Sequence, residues 1–276
     1  MTQRQVTMGP NQQSPALATR SVAMPWGSFS YRRAGVGQPL VLVHPLALNG
    51  GLWKPVLADF LPGHDVVMPD VRGHGESRWD GAPYSIEDVA VDLRALLDAL
   101  GIARCSLLGM SMGGCIAMTF AAQNPERVDR LMLCDTTAFY GPDASVKWEE
   151  RAHAAETKTR DEQIPFQIDR WFSETFRKQR PDVVEHTADV FRSTQREAHA
   201  AACRALGSFD FRARLGAILA PTLVATGEGD YATPPPMGRA LADGIRNAEL
   251  DLVPDVRHMA VLESASLRTR LQGFAG

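Results

Sequence analysis

The sequence predicts an α/β fold: a mainly parallel central sheet flanked by helices and carrying a helical insertion. Three observations lead there. Short apolar runs of β type recur along the chain, amphipathic helical patterns lie between them, and one long stretch holds helical patterns but no convincing strand. At 276 residues the chain accommodates one sizeable domain with an insertion.

Residues 1–21 are rich in Gln, Thr, Ser and Pro and read as a flexible N-terminal tail, without the apolar stretch of a signal peptide. Strands follow at residues 28–32, 40–43, 66–68, 105–108 and 131–134, and again at 222–225 and 249–253. Runs such as Leu40-Val41-Leu42-Val43 are apolar without alternation, the pattern of strands covered on both faces. The clearest helix spans residues 85–100, where Ser85 and Asp88 make a capping box and Val89, Leu93, Leu96, Leu97 and Leu100 form an apolar stripe. Between 136 and 219 the alternation stops, and amphipathic pieces at 165–178, 181–192 and 196–206 take over. This stretch reads as a helical cap set into a core of residues 22–135 and 220–276. The core closes with a helix carrying Leu267, Leu271 and Phe274 on one face.

Composition narrows the function. The formal net charge is −3 and the basic residues are scattered, so nucleic acid is not an expected partner. No segment has the unbroken apolar length of a membrane span, and no membrane association is expected. Cys105, Cys115, Cys134 and Cys203 lack Cys-x-x-Cys spacing and sit mostly in apolar runs, so they read as buried thiols of a cytoplasmic protein. Neither a metal nor another cofactor is expected; a homo-oligomer is left open.

The chemistry concentrates at Gly109-Met110-Ser111-Met112-Gly113-Gly114, between an apolar strand and an apolar helix. A serine at such a turn is held with its hydroxyl exposed, and the flanking glycines let backbone approach where a Cβ would clash. The helix N-terminus favours negative charge there, which makes the Met112 N–H a donor to a developing oxyanion. A second donor is expected from the loop after residues 40–43. In Val43-His44-Pro45-Leu46 the proline has no N–H, which leaves Leu46. His44 is a candidate for the pocket wall.

Serine is a weak nucleophile until a base takes its proton. Of the seven histidines, His258 fits best, because it lies in a loop past the last predicted strand and before the C-terminal helix. Asp230, in Gly227-Glu228-Gly229-Asp230, ends the preceding strand region and is the favoured acid to orient it. Asp135, directly after residues 131–134, is the alternative acid. The polar loop Asp70-Val71-Arg72-Gly73-His74-Gly75-Glu76-Ser77 reads as structural, with Asp70 and Arg72 satisfying backbone groups and each other.

Together these motifs resemble the α/β-hydrolase family, from about residue 22 to the C-terminus. Within it the chain resembles 3-oxoadipate enol-lactonases of aromatic-compound catabolism, through Asn124-Pro125-Glu126-Arg127-Val128, Trp148-Glu149-Glu150-Arg151, Arg170-Trp171-Phe172, Ala200-Ala201-Ala202-Cys203 and residues 227–235. The resemblance implies an α/β-hydrolase fold with the cap after strand 6, a catalytic triad of Ser111, Asp230 and His258, and an oxyanion hole of Leu46 and Met112. Two features depart from it. The loop from Val43 to Leu48 is less polar than in enol-lactonases and closer to the His-Gly loops of general esterases, and Asp135 stands where those enzymes carry Asn.

The implied reaction is acyl transfer from a small ester or lactone to Ser111, followed by hydrolysis. Trp148, Arg151 and Trp171 are the cap residues expected at the substrate pocket, with Arg151 or Arg170 receiving a substrate carboxylate. Carbon–carbon bond hydrolysis or perhydrolysis on the same triad is the alternative. A non-catalytic ligand receptor is a more remote one.

Overall fold

The computed structural model describes residues 17–276. Among them, one nine-stranded sheet is built from β1 (Arg20–Met24), β2 (Gly27–Gly35), β3 (Gln38–Val43), β4 (His64–Asp70), β5 (Arg78–Trp79), β6 (Cys105–Met110), β7 (Val128–Cys134), β8 (Thr222–Gly227) and β9 (Ala248–Val253). The order is β1-β2-β4-β3-β6-β7-β8-β9, with β5 paired to β2. β1, β2 and β4 pair antiparallel; from β4 to β9 the pairing is parallel.

The continuous apolar runs follow from burial on both faces. Leu40, Val41, Leu42 and Val43 are all fully buried, yet they feed two separate clusters. Val41 and Val43 pack with Leu107, Leu131, Leu133 and with Leu93, Leu96, Ile116 and Phe120 on one face. Leu40 and Leu42 pack with Leu108, Met132, Leu223, Trp53, Leu267 and Leu271 on the other. A side-chain period of two therefore divides each strand between two helical layers.

The helices of the first part are α1 (Leu57–Phe60), α2 (Ile86–Ala99) and α3 (Met112–Gln123). The cap holds α4 (Ala144–Thr157), α5 (Arg160–Trp171), α6 (Glu174–Gln179), α7 (Pro181–Ser193) and α8 (Arg196–Gly207); α9 (Pro235–Gly244), α10 (Ala260–Glu263) and α11 (Ala265–Ala275) complete the core. With the two-residue β5 set aside, the cap follows the sixth strand. None of these helices is long and apolar enough to cross a membrane.

Several local expectations meet their structural counterparts. Ser85 accepts from the Asp88 N–H at the start of α2, and Asp88 returns the bond, closing the capping box. Elsewhere the boundaries differ. β1 begins at Arg20, inside the expected 1–21 tail, and residues 1–16 of that tail lie outside the described residues. The cap piece expected at 165–178 is two helices. Thr159 and Glu162 form a capping box that starts α5 five residues earlier, Pro165 lies inside it, and the break falls at Phe172 and Ser173. Pro165 is the sixth residue of α5, past the first turn, so the helix there forgoes the bond that an N–H would make to the Asp161 carbonyl.

The loop after β4 is structural, with different partners from those expected. Asp70 is paired with Arg32 at 2.7 Å and accepts from the Gly50 and Glu76 amides, whereas Arg72 pairs with Asp92 at 2.8 Å.

The cap is fastened to the core on both sides of Ser111. Thr194 donates to the Ala47 carbonyl at 2.8 Å, and Met259 N–H donates to the Trp171 carbonyl at 3.0 Å. The Glu263 carboxylate accepts from both the amide and the hydroxyl of Ser173.

Candidate active site

The parallel register aligns the carboxyl ends of β3, β6, β7, β8 and β9: Val43 faces Gly109, Met110 faces Cys134, Cys134 faces Ala225 and Gly227 faces Val253. The loops leaving those ends converge on one edge, where α/β sheets bind their ligands. Ser111 stands at the junction of β6 and α3 with φ 54° and ψ −118°. For a residue with a Cβ this is strained backbone, at a cost on the order of 1–3 kcal/mol. The surrounding bonds hold it there. Its N–H donates to the Cys134 carbonyl, and its own carbonyl accepts from Gly114, Cys115 and the Thr136 hydroxyl. A Cβ on Gly109 would overlap the Gly113 carbonyl, and one on Gly113 would overlap the Val43 carbonyl, so close packing requires both glycines.

Ser111, His258 and Asp230 form one hydrogen-bonded line. The Ser111 hydroxyl lies 3.0 Å from His258 Nε2, and His258 Nδ1 lies 2.8 Å from Asp230 Oδ2. Asp230 is 2% exposed, and its second oxygen accepts from the amides of Ala232 and Thr233. Burial pushes its carboxyl up, but the charge and hydrogen bond of His258, with the Thr233 bonds, outweigh this and hold it below the usual carboxylate range. An ionised Asp230 can only accept, so Nδ1 carries the proton and Nε2 presents a lone pair to Ser111.

The Met112 amide opens α3, and the Leu46 amide lies in the loop after β3. Neither N–H has an acceptor among the described residues. His44 is not a pocket wall. It is fully buried behind the loop, where Nδ1–H donates to the Pro45 carbonyl and Nε2 accepts from the Val71 amide. His74 acts in parallel, donating to the Arg72 carbonyl and accepting from the Ala47 amide. Burial lowers the two imidazoles to about 4 and about 3 respectively, so both support the Leu46 loop as neutral rings.

Asp135 does not reach His258 as an alternative acid would. Its two oxygens accept from the amides of Gly227 and Ala260, each at 2.9 Å. Gly227 leads into the loop of Asp230 and Ala260 follows the loop of His258, so this carboxylate ties the two loops together. Replacing it by asparagine turns an NH2 group toward one of the two amides. Asp135→Asn is expected to lose about 1–3 kcal/mol of stability, read by chemical denaturation.

Trp148, Arg151 and Trp171 reach the space over Ser111, together with Tyr140, Gln167, Arg170, His199 and Thr233. The cavity there is about 20 Å³, room for about one water. Arg151 lies over the Trp148 ring at 4.3 Å. Neither Arg151 nor Arg170 has a carboxylate partner among the described residues. Burial lowers both guanidiniums, Arg170 to about 10, which leaves it cationic at neutral pH. Thr233 was legible only as a residue three past Asp230, and Tyr140 carried no sequence signal at all.

A family model described as the alpha/beta hydrolase fold matches residues 38–265. Among relatives, 3-oxoadipate enol-lactonase 2 of Acinetobacter baylyi is 28% identical over 247 residues, 90% of each chain. The 2-hydroxy-6-oxo-6-phenylhexa-2,4-dienoate hydrolase of Comamonas testosteroni is 29% identical over 261 residues, 87% of this chain and 88% of its own. Among solved structures, the enol-lactonase of Burkholderia xenovorans superposes with a TM-score of 0.85 at 32% identity, covering 91% of this chain and 97% of that one.

Proposed function

This chain belongs to the α/β-hydrolase family, and on that footing we propose that it cleaves a small ester or lactone through an acyl-enzyme on Ser111, with His258 as base and Asp230 as its orienting acid. The observation that carries the proposal is the hydrogen-bonded line from Asp230 through His258 to the Ser111 hydroxyl. In this reaction Ser111 Oγ attacks the carbonyl carbon as its proton passes to His258 Nε2. The oxyanion is received by the amides of Leu46 and Met112. His258 then protonates the leaving oxygen, and water, activated by the same nitrogen, releases the acid.

Arg151 and Arg170, charged groups without acid partners among the described residues, favour a substrate that brings its own carboxylate. The likeness to enol-lactonases agrees with a lactone or ester of this kind. The relative from Comamonas testosteroni supports a second reading, carbon–carbon bond hydrolysis on the same three residues, and product analysis separates the two.

The test is a substrate panel: p-nitrophenyl pentanoate, its carboxylate-bearing counterpart mono-p-nitrophenyl glutarate, and simple lactones and enol-lactones. Turnover of esters and lactones is expected, with kcat/KM for the glutarate roughly 10- to 100-fold above the pentanoate. No turnover of any of them contradicts the ester and lactone reading.

A further inference from the structure

His199, on α8, is 2% exposed, yet it borders the space over Ser111. Its Nδ1 lies 2.8 Å from Arg160 Nη1. A guanidinium can only donate, so Nδ1 must be a lone pair and the single ring proton sits on Nε2. Burial, reinforced by the Arg160 and Arg151 charges, holds this imidazole well below its ordinary value and keeps it neutral.

The ring is also fixed in place. Arg160 is anchored by two bonds to the Thr194 carbonyl and lies over Phe191 at 4.8 Å, and the His199 ring meets the edge of Phe191 at 5.8 Å and 79°. The Nε2–H that this arrangement leaves over has no acceptor among the described residues.

Its position gives that donor a use. His199, Arg151 and Gln167 border both the 20 Å³ chamber over Ser111 and an outer cleft of about 250 Å³ between α4, α5 and α8. These three side chains stand between the chamber and the cleft, so a substrate chain that extends from Ser111 toward the cleft meets them. The charged groups there suit a carboxylate, whereas a neutral N–H adds no charge and selects for an acceptor over an alkyl group.

We propose that His199 is a specificity-determining residue whose fixed Nε2–H donates to a neutral carbonyl oxygen on the substrate chain where it leaves the Ser111 chamber. The proposal rests on the reading of Ser111 as the nucleophile of an ester hydrolase. Arg160 is the positioning residue that sets the tautomer.

The test compares p-nitrophenyl 5-oxohexanoate with its isostere p-nitrophenyl 5-methylhexanoate in wild type, His199→Phe, His199→Asn and His199→Gln. Asparagine keeps an oxygen near Nδ1 for Arg160 but has no donor at the reach of Nε2; glutamine places an amide nitrogen there. The oxo-to-methyl ratio of kcat/KM is expected to fall about tenfold in His199→Phe and His199→Asn, and to be largely restored in His199→Gln. A role confined to packing the cap lowers both esters together, so an unchanged ratio across the variants overturns the proposal while leaving the hydrolase reading intact. Absence of Ser111-dependent turnover of either ester overturns that reading and this proposal with it.

Discussion

Ser111→Ala is expected to lower kcat for p-nitrophenyl pentanoate by about a million-fold. The hydroxyl removed is the one held 3.0 Å from His258 Nε2, and no other side chain stands in that line. On the proposed mechanism, what remains is an oxyanion site and a binding pocket around a methyl group, which would still accelerate attack by water but could not form an acyl-enzyme. The strained backbone is set by the bonds to Cys134, Gly114, Cys115 and Thr136, which do not involve the hydroxyl, so the variant is expected to fold. Steady-state kinetics checks this; a loss below about a hundredfold contradicts a serine nucleophile at this position.

Asp230→Asn is expected to cost about ten thousandfold in kcat with little change in KM. The amide oxygen can still accept from Ala232 and Thr233, which turns the NH2 group toward His258 Nδ1. Two donors then face each other, and the ring answers by moving its proton to Nε2. That tautomer cannot take the Ser111 proton, so substrate binds and chemistry fails. Asp135, with both oxygens committed to backbone amides, is not expected to rescue the variant. Activity close to wild type contradicts the role of Asp230 as the orienting acid.

Much of the framework was legible because it is local. Strand burial on two faces appears directly as the apolar runs of β3, β6 and β7, and the turn at Ser111 is read from glycines within a few residues of it, although the contact that excludes a Cβ at Gly113 comes from Val43 on another strand. The capping box of α2 is a three-residue signal. β1 was missed because it is a largely exposed edge strand without an apolar run, and the start of α5 because Pro165 resembled a first-turn proline although the cap lies at Thr159.

The errors at the site have a common cause, since they concern where a side chain points rather than which element carries it. His44 and Asp135 both leave strand ends at the right edge of the sheet. Each turns back to satisfy buried amides, of Val71 in one case and of Gly227 and Ala260 in the other. His199 carried no sequence signal that set it apart from the other histidines, because its hydrogen-bond partner is Arg160, thirty-nine positions earlier in the chain.

The central claim is that Ser111 is the attacking atom, and the most direct measurement is covalent labelling with an alkyl fluorophosphonate. The serine oxygen displaces fluoride at phosphorus and leaves a stable adduct. Intact-mass and peptide analysis are expected to show one adduct per chain on the peptide carrying Ser111, and none in Ser111→Ala. An adduct on a different residue, or an enzyme that hydrolyses esters yet resists the reagent, would contradict the account.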